Sequence, residues 1–482
     1  MRNPLANQRC WLIAEHNGAA PTLAAQFAHL RGCEVRTTSS AKVPEFTQPL
    51  IAMSFAMLDA IPARERESLR ASIQSGATLY VRGAASDGSR HNLSPLLEAS
   101  FAVGRMPGSA GYRFTRHAMI PGALRGEEGR APDGVCCVSD MRGSAEPILM
   151  ALAASGAEMP IAFAYRVGRG AIICDVQPDD PNIDTPLIWR MADPVQRCIA
   201  ASALIAADCA AERNLDAPVA FNLTIDDVPL AYDYFNEPLL EAFFGHMASR
   251  CAKAHLDCAW IPTSHWISRR YVEILKTHGV GFLWHGIHRH VDHQKMDDAV
   301  AEMAAGKRAM AANMERYGVR LQSMIIFPFE RADRRSEALL LKEGFIGGAE
   351  QPHCDQGDGA IPGYLRFSDG GCLHQSGMHF LHRYEAEFLT RDRMLAIAAL
   401  GMPILAFAHP KDLGLKRLAR FADRGGAFSH FDHVLDFASA KSLSGGSLEE
   451  IAQGQFQQRS ESAATEALPA QDSDQGTHRR IA

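Results

Sequence analysis

The stretch FNLTIDDVPL, Phe221–Leu230, ends an apolar, β-branched run with two adjacent carboxylates, Asp226 and Asp227. Neighbouring carboxylates repel, and beside an apolar core each is pushed toward its neutral form unless positive charge stands close by. A bound metal ion would supply that charge, which makes the rest of the chain worth searching for further ligands.

Three other stretches repeat the arrangement. LWHGIHRHVDH, Leu283–His293, carries four histidines directly after the apolar GVGFLW. MIIFPFER ends an apolar run at Pro328, and ILAFAHP ends one at His409 and Pro410. Each polar group stands just past the C-terminal end of an apolar β run, with helical segments between. In a (β/α) barrel these ends converge on one face, where active sites lie. An isolated Asp pair is usually a cap or a turn, and an isolated His usually a core or surface residue. Four such groups at equivalent strand ends point to one site.

The order TIDDVP, HGIHRH, FPF and AFAHP resembles the polysaccharide deacetylases of carbohydrate esterase family 4, the NodB homology domain, over roughly residues 215–440. The resemblance implies a distorted (β/α) barrel and a metal-dependent hydrolase that removes N-acetyl groups from a carbohydrate. By position it makes Asp226 the general base, Asp227 and His285 metal ligands, and His409 the general acid. It places Pro328 and Phe329 along the substrate groove. Zinc is the metal that two imidazoles and one carboxylate with open positions imply. Three departures stand out. Val228 replaces the family's glycine. Arg289 stands four positions after His285, so His288 or His290 must complete the ligand set, with His293 nearby. Ile326 or Phe327 occupies the place of the arginine that orients the base. Trp284, with Trp260 and Trp266, offers a surface for stacking on sugar faces, although packing in the core explains these side chains equally well. Two other readings stay open: a hydrolase of a non-sugar amide, cyclic imide or ureide, and a catalytically inactive carbohydrate-binding protein.

The whole chain has 482 residues, too many for one ordinary core. Apolar residues make up 47% and charged ones 22%, the balance of a soluble globule. A formal net charge of -6 leaves no electrostatic footprint for nucleic acid or an anionic membrane, and points to a small-molecule or oligosaccharide partner. The first residues lack the apolar core of a secretory signal, and the 11 cysteines are irregularly spaced, so a cytoplasmic location with free thiols is expected.

Residues 1–212 alternate strand-like and helix-like runs: CWLIAE, PTLAAQFAHLRG, CEVRTTS, LIAMSFAML, PARERESLRASIQSG and TLYVRG. Such alternation predicts an α/β domain with a doubly wound parallel sheet. Gly168, Arg169 and Gly170 predict a β-hairpin, and PVQRCIAASALIAADCAAERN a closing helix. The pattern resembles a class I glutamine-amidotransferase or flavodoxin-like domain. Arg82, Gly83 and Ala84 stand where an amidotransferase has its nucleophilic cysteine, so the domain is expected to be a non-catalytic scaffold. Four of the 20 histidines (His16, His29, His91, His117) precede residue 213, and 15 fall within 213–442, which sets the expected boundary. Residues 443–482, polar and short of aromatics, are expected to form a disordered tail.

Overall fold

A computed structural model describes residues 9–13, 22–31, 33–38, 49–83, 88–94, 96–106, 111–178, 185, 187–228, 237–263, 269–288, 298–328, 334–351, 371–373, 378–410, 412 and 429–463. The chain forms a mixed α/β structure built on two large sheets and one small one.

In the N-terminal half, five strands run parallel in the order Glu34–Thr38, Arg9–Ile13, Leu50–Ser54, Thr78–Arg82 and Gly170–Asp175. The sheet then continues antiparallel through Glu158–Val167, Glu146–Leu152, Gly111–Phe114 and Glu128–Arg130. Against the expectation of a doubly wound parallel sheet, parallel pairing covers just one side of this sheet. Between Arg82 and Gly170 the described chain runs through short strands without a crossover helix, and such strands can pair only as antiparallel neighbours. The predicted hairpin is present, with Gly168 at φ 62°, a left-handed position suited to glycine. Pro194–Ala210 is the predicted helix, begun by Pro194 and capped by Asp193, whose carboxylate accepts from Gln196 N at 2.9 Å.

At the expected cysteine position, the Arg82 guanidinium is buried and fully engaged. It donates to Asp175 Oδ2 (3.0 Å), Tyr80 Oη (3.0 Å), Ile199 O (2.8 Å) and Pro178 O (2.7 Å). Among the described residues, seven cysteines, including Cys136 and Cys137, are free thiols, whereas Cys33 is disulfide-bonded, against the expectation of free thiols throughout.

In the second half, the strands Ala220–Val228, Leu256–Trp260, Gly281–His285, Leu321–Ile326 and Gly347–Glu350 lie side by side and parallel. Ile404–Ala408 pairs with the first of them on its other edge. The sheet closes through one continuous stretch: His379–His382 pairs with Gly347–Glu350, Arg383 follows, and Tyr384–Glu385 pairs with Ile404–Ala408. The result is a barrel of parallel strands with its seam at Arg383.

Period-two alternation sorts the regular stretches of the strands between the lumen and the outer layer. Ala259, Leu283, Met324, Ile326, Ala349, Leu381 and Leu405 form the small lumen cluster. Their neighbours Cys258, Trp260, Phe282, Trp284, Ile325 and Phe380 belong to the large outer cluster that also runs through the N-terminal half.

The expected disordered tail is partly corrected. Ser444–Gly445 pairs with the start of the Asp-bearing strand, and Leu448–Ala463 is a helix whose Leu448, Ile451 and Ala452 join the lumen cluster. Burying Leu448 and Ile451 contributes about 1.5–3 kcal/mol each, which polar composition alone does not reveal. The helix start also meets a buried polar floor. Asp257, fully buried, accepts from Leu448 N (2.7 Å), Asn222 Nδ2 (2.8 Å) and Gln322 Nε2 (2.7 Å), and Glu449 N donates to Gln322 Oε1 (2.9 Å). Gly281 makes room for this knot, since a Cβ there would overlap Asp257 Oδ1 and Gln322 Nε2. Asp257→Ala would leave three buried donors unmatched, and we expect a loss of about 3–5 kcal/mol in urea-induced unfolding. A change below about 1 kcal/mol would show that the floor does not depend on this carboxylate.

Candidate active site

Asp226, in phase with Asn222 and Thr224, enters the lumen at the top of its strand, where it is buried. The next residue should point outward. Instead the pairing with Leu256–Trp260 shifts register between Ile225 and Val228, and Asp227 takes φ 56°. The bulge and this left-handed backbone, uncommon for a residue with a side chain, break the alternation and turn the second carboxylate toward the lumen as well.

Each carboxylate has its own partner. Arg383 Nη1 donates to Asp226 Oδ1 at 2.8 Å, and Nη2 lies 2.7 Å from Oδ2, a bidentate pair with both side chains buried. The same guanidinium lies over the Phe407 ring, 4.0 Å from its centroid. Asp227 Oδ1 lies 2.9 Å from His285 Nε2, across the lumen edge of the intervening strand Leu256–Trp260. His285 Nδ1 donates to Ile326 O at 3.1 Å. The 2.9 Å contact between His285 Nε2 and Asp227 Oδ1 is of hydrogen-bond length, and these two atoms are of the kinds that also ligate a divalent ion.

His409 extends one residue beyond the pair Ile225 and Ala408, next to Asp226 at the adjacent strand end. Its backbone N (3.0 Å) and Nδ1 (3.2 Å) both donate to Asp412 Oδ2. That bond to Asp412 raises the His409 pKa above its ordinary value; partial burial opposes it, and the charges of Asp226 and Asp227 add to it.

The structure thus gathers Asp226, Asp227, His285 and His409 and leaves other expected residues elsewhere. Trp284 is out of phase with His285 and packs edge-on against Phe345 in the outer layer, so it does not present a face to substrate. Trp260 is fully buried in the same layer. Pro328 is buried just past the end of its strand; Phe329, His290, His293 and Trp266 lie outside the described residues. His288 Nδ1 lies 2.7 Å from Glu302 Oε2 on the helix Ala299–Tyr317. Among the described residues, no three His, Cys, Asp or Glu side chains form a group able to hold a metal ion. Sequence reading missed Arg383 and Asp412. Arg383 comes from HFLHRYE at the seam, far in sequence from Ile326 and Phe327, and follows directly on the strand His379–His382.

No protein-family model matches the chain, and no curated protein matches it. Among solved structures, a protein described as a polysaccharide deacetylase from Mycobacterium smegmatis is similar at 15% identity and TM-score 0.36, over 50% of this chain and 94% of that one. A family 4 carbohydrate esterase from Streptomyces lividans, in complex with acetate, is similar at 11% identity and TM-score 0.29, over 48% and 94%. The cold-adapted beta-galactosidase from Rahnella sp. R3 is similar at 14% identity and TM-score 0.27, over 39% of this chain and 25% of that one. The match thus spans about a quarter of the galactosidase. At these scores the likenesses fix neither fold nor function. No described helix is long and apolar enough to cross a membrane.

A raised His409 pKa has a measurable consequence. The imidazole should titrate above its ordinary value near 6.5, and Asp412→Asn should lower the midpoint, as read by NMR of labelled histidines. The pair's contribution to stability is complete below about pH 6.5 and is lost as pH rises through the higher folded value. An unchanged midpoint in the variant would remove Asp412 as the cause.

Proposed function

We propose that the chain is a metal-dependent hydrolase that removes N-acetyl groups from a carbohydrate. The observation that carries this reading is the meeting of Asp226, Asp227, His285 and His409 at strand ends on one side of the barrel, with Asp227 Oδ1 2.9 Å from His285 Nε2. Asp227 and His285 would hold the ion, zinc by the character of its donors, with His288 or His290 as the third ligand. A divalent ion bound there supplies polarisation of the amide carbonyl and a lowered pKa for water.

The chain's own residues account for the proton movements. Asp226, paired with Arg383, accepts the proton of the attacking water. Arg383 also fixes the plane of that carboxylate, the role left vacant after Leu321–Ile326. His409, kept protonated to higher pH by Asp412, passes a proton to the departing nitrogen. The products are acetate and a free amine. An oligosaccharide substrate within the cytoplasm accompanies this reading, with no nucleic acid or membrane partner.

A second reading has one specific support. The 2.9 Å contact of His285 Nε2 with Asp227 Oδ1 is a hydrogen bond that needs no metal, as in a non-catalytic carbohydrate-binding protein. Elemental analysis of purified protein separates the two: the hydrolase retains about one divalent ion per chain. Asp227→Ala should lose that ion. Asp226→Asn should keep it while acetate release from N-acetylated oligosaccharides falls by about 100-fold or more. Protein that takes up no metal after incubation with zinc would overturn the hydrolase reading.

A further inference from the structure

We propose that the N-terminal half acts as the positioning element of the site, holding Arg383 and His409 in place by gripping both ends of the helix Arg391–Leu400. This inference rests on the site as assigned above but does not require turnover. In chain order, Arg383 is followed by the seam strand Tyr384–Glu385, the turn Ala386–Phe388 and this helix, then by the strand Ile404–Ala408 and His409. The helix therefore sits between the partner of Asp226 and the candidate general acid.

At its N-terminal end, three successive residues each reach a different part of the other half. Arg391 Nη2 donates to Glu127 Oε2 at 2.5 Å, and Lys441 Nζ holds the other oxygen of that carboxylate at 2.5 Å. Asp392 Oδ1 accepts from Arg197 Nη2 at 2.6 Å; Arg197 is buried and also donates to Tyr112 Oη (2.8 Å) and Met191 O (3.0 Å). The Arg393 guanidinium lies over the Trp189 ring, 4.5 Å from its centroid, and donates back to Phe388 O at 2.7 Å. Two arginines in the first turn oppose the helix dipole, so they weaken the helix taken alone. Their placement makes sense as contacts to the other half.

The C-terminal end is gripped as well. Arg31 Nη1 donates to Leu400 O at 3.1 Å, and Arg213, at the very start of the second half, donates from Nη1 to Ala399 O at 3.4 Å, which satisfies the last carbonyls with cations. Both arginines pair with Asp208, which is fully buried. Gly401 ends the helix at φ 78°, and a Cβ there would overlap the Arg213 guanidinium. Every residue from Met394 to Leu400 is buried. The seam itself is slight: Tyr384 with Ala406 and Glu385 with Phe407 are its only register pairs. A strand with so little pairing needs its following helix held from outside.

Hydrogen exchange of the full-length chain, read by mass spectrometry without substrate, tests this. In Asp392→Asn and in Arg391→Gln, exchange across residues 379–389 and 404–408 should rise about tenfold or more. Exchange in Leu256–Trp260 and Gly281–His285, farther from the seam, should stay at the wild-type level, and Asp392→Glu should restore protection. Arg391 is largely exposed, so its variant decides the matter if Asp392→Asn does not fold. A rise confined to the helix, or one uniform over the chain, would overturn the proposal. Because no metal or substrate enters the measurement, failure of the hydrolase reading leaves its outcome unaffected.

Discussion

Asp226 and Arg383 are both buried, and neither would be tolerated there alone. An isolated charge in such surroundings costs several kcal/mol, on the order of what a whole domain has to spare. Bidentate geometry and the Phe407 ring make the pair acceptable. The consequences reach beyond one interaction. Because Arg383 stands where the closing strand changes partners, the pair ties the first strand of the barrel to its seam. The charge that shapes the site also marks where the barrel shuts.

The carboxylates and histidines were legible because they interrupt apolar runs, and an interruption at a strand end has few structural explanations. Trp284 misled for a related reason. It stands next to His285 in sequence, and adjacency on a strand means opposite faces, so the alternation that put His285 in the lumen put Trp284 outside. Asp227 escapes the same rule through a bulge and a left-handed backbone, neither of which has a signature in the letters IDDV. Arg383 was invisible because the partner of a buried charge is chosen by topology, here a strand more than 150 residues away.

The fold was legible in proportion to its regularity. Helices with caps and apolar faces, such as Pro194–Ala210, could be read directly. The antiparallel part of the first sheet could not, since short alternating strands take their neighbours from the sheet already formed. The helix Leu448–Ala463 was obscured by its polar composition. Three side chains and the backbone N–H groups of Leu448 and Glu449 are what commit it to the barrel, and the carboxylate that Leu448 N meets lies almost 200 residues earlier.

The contact of this helix with the barrel also sets where the fold ends. The helix start and the Asp257 knot fill one end of the lumen, and Leu283, Met324, Leu381 and Leu405 fill the middle. The barrel's own boundary therefore lies past Leu448. A chain cut before that residue would bare the apolar lumen and take from Asp257 one of its donors.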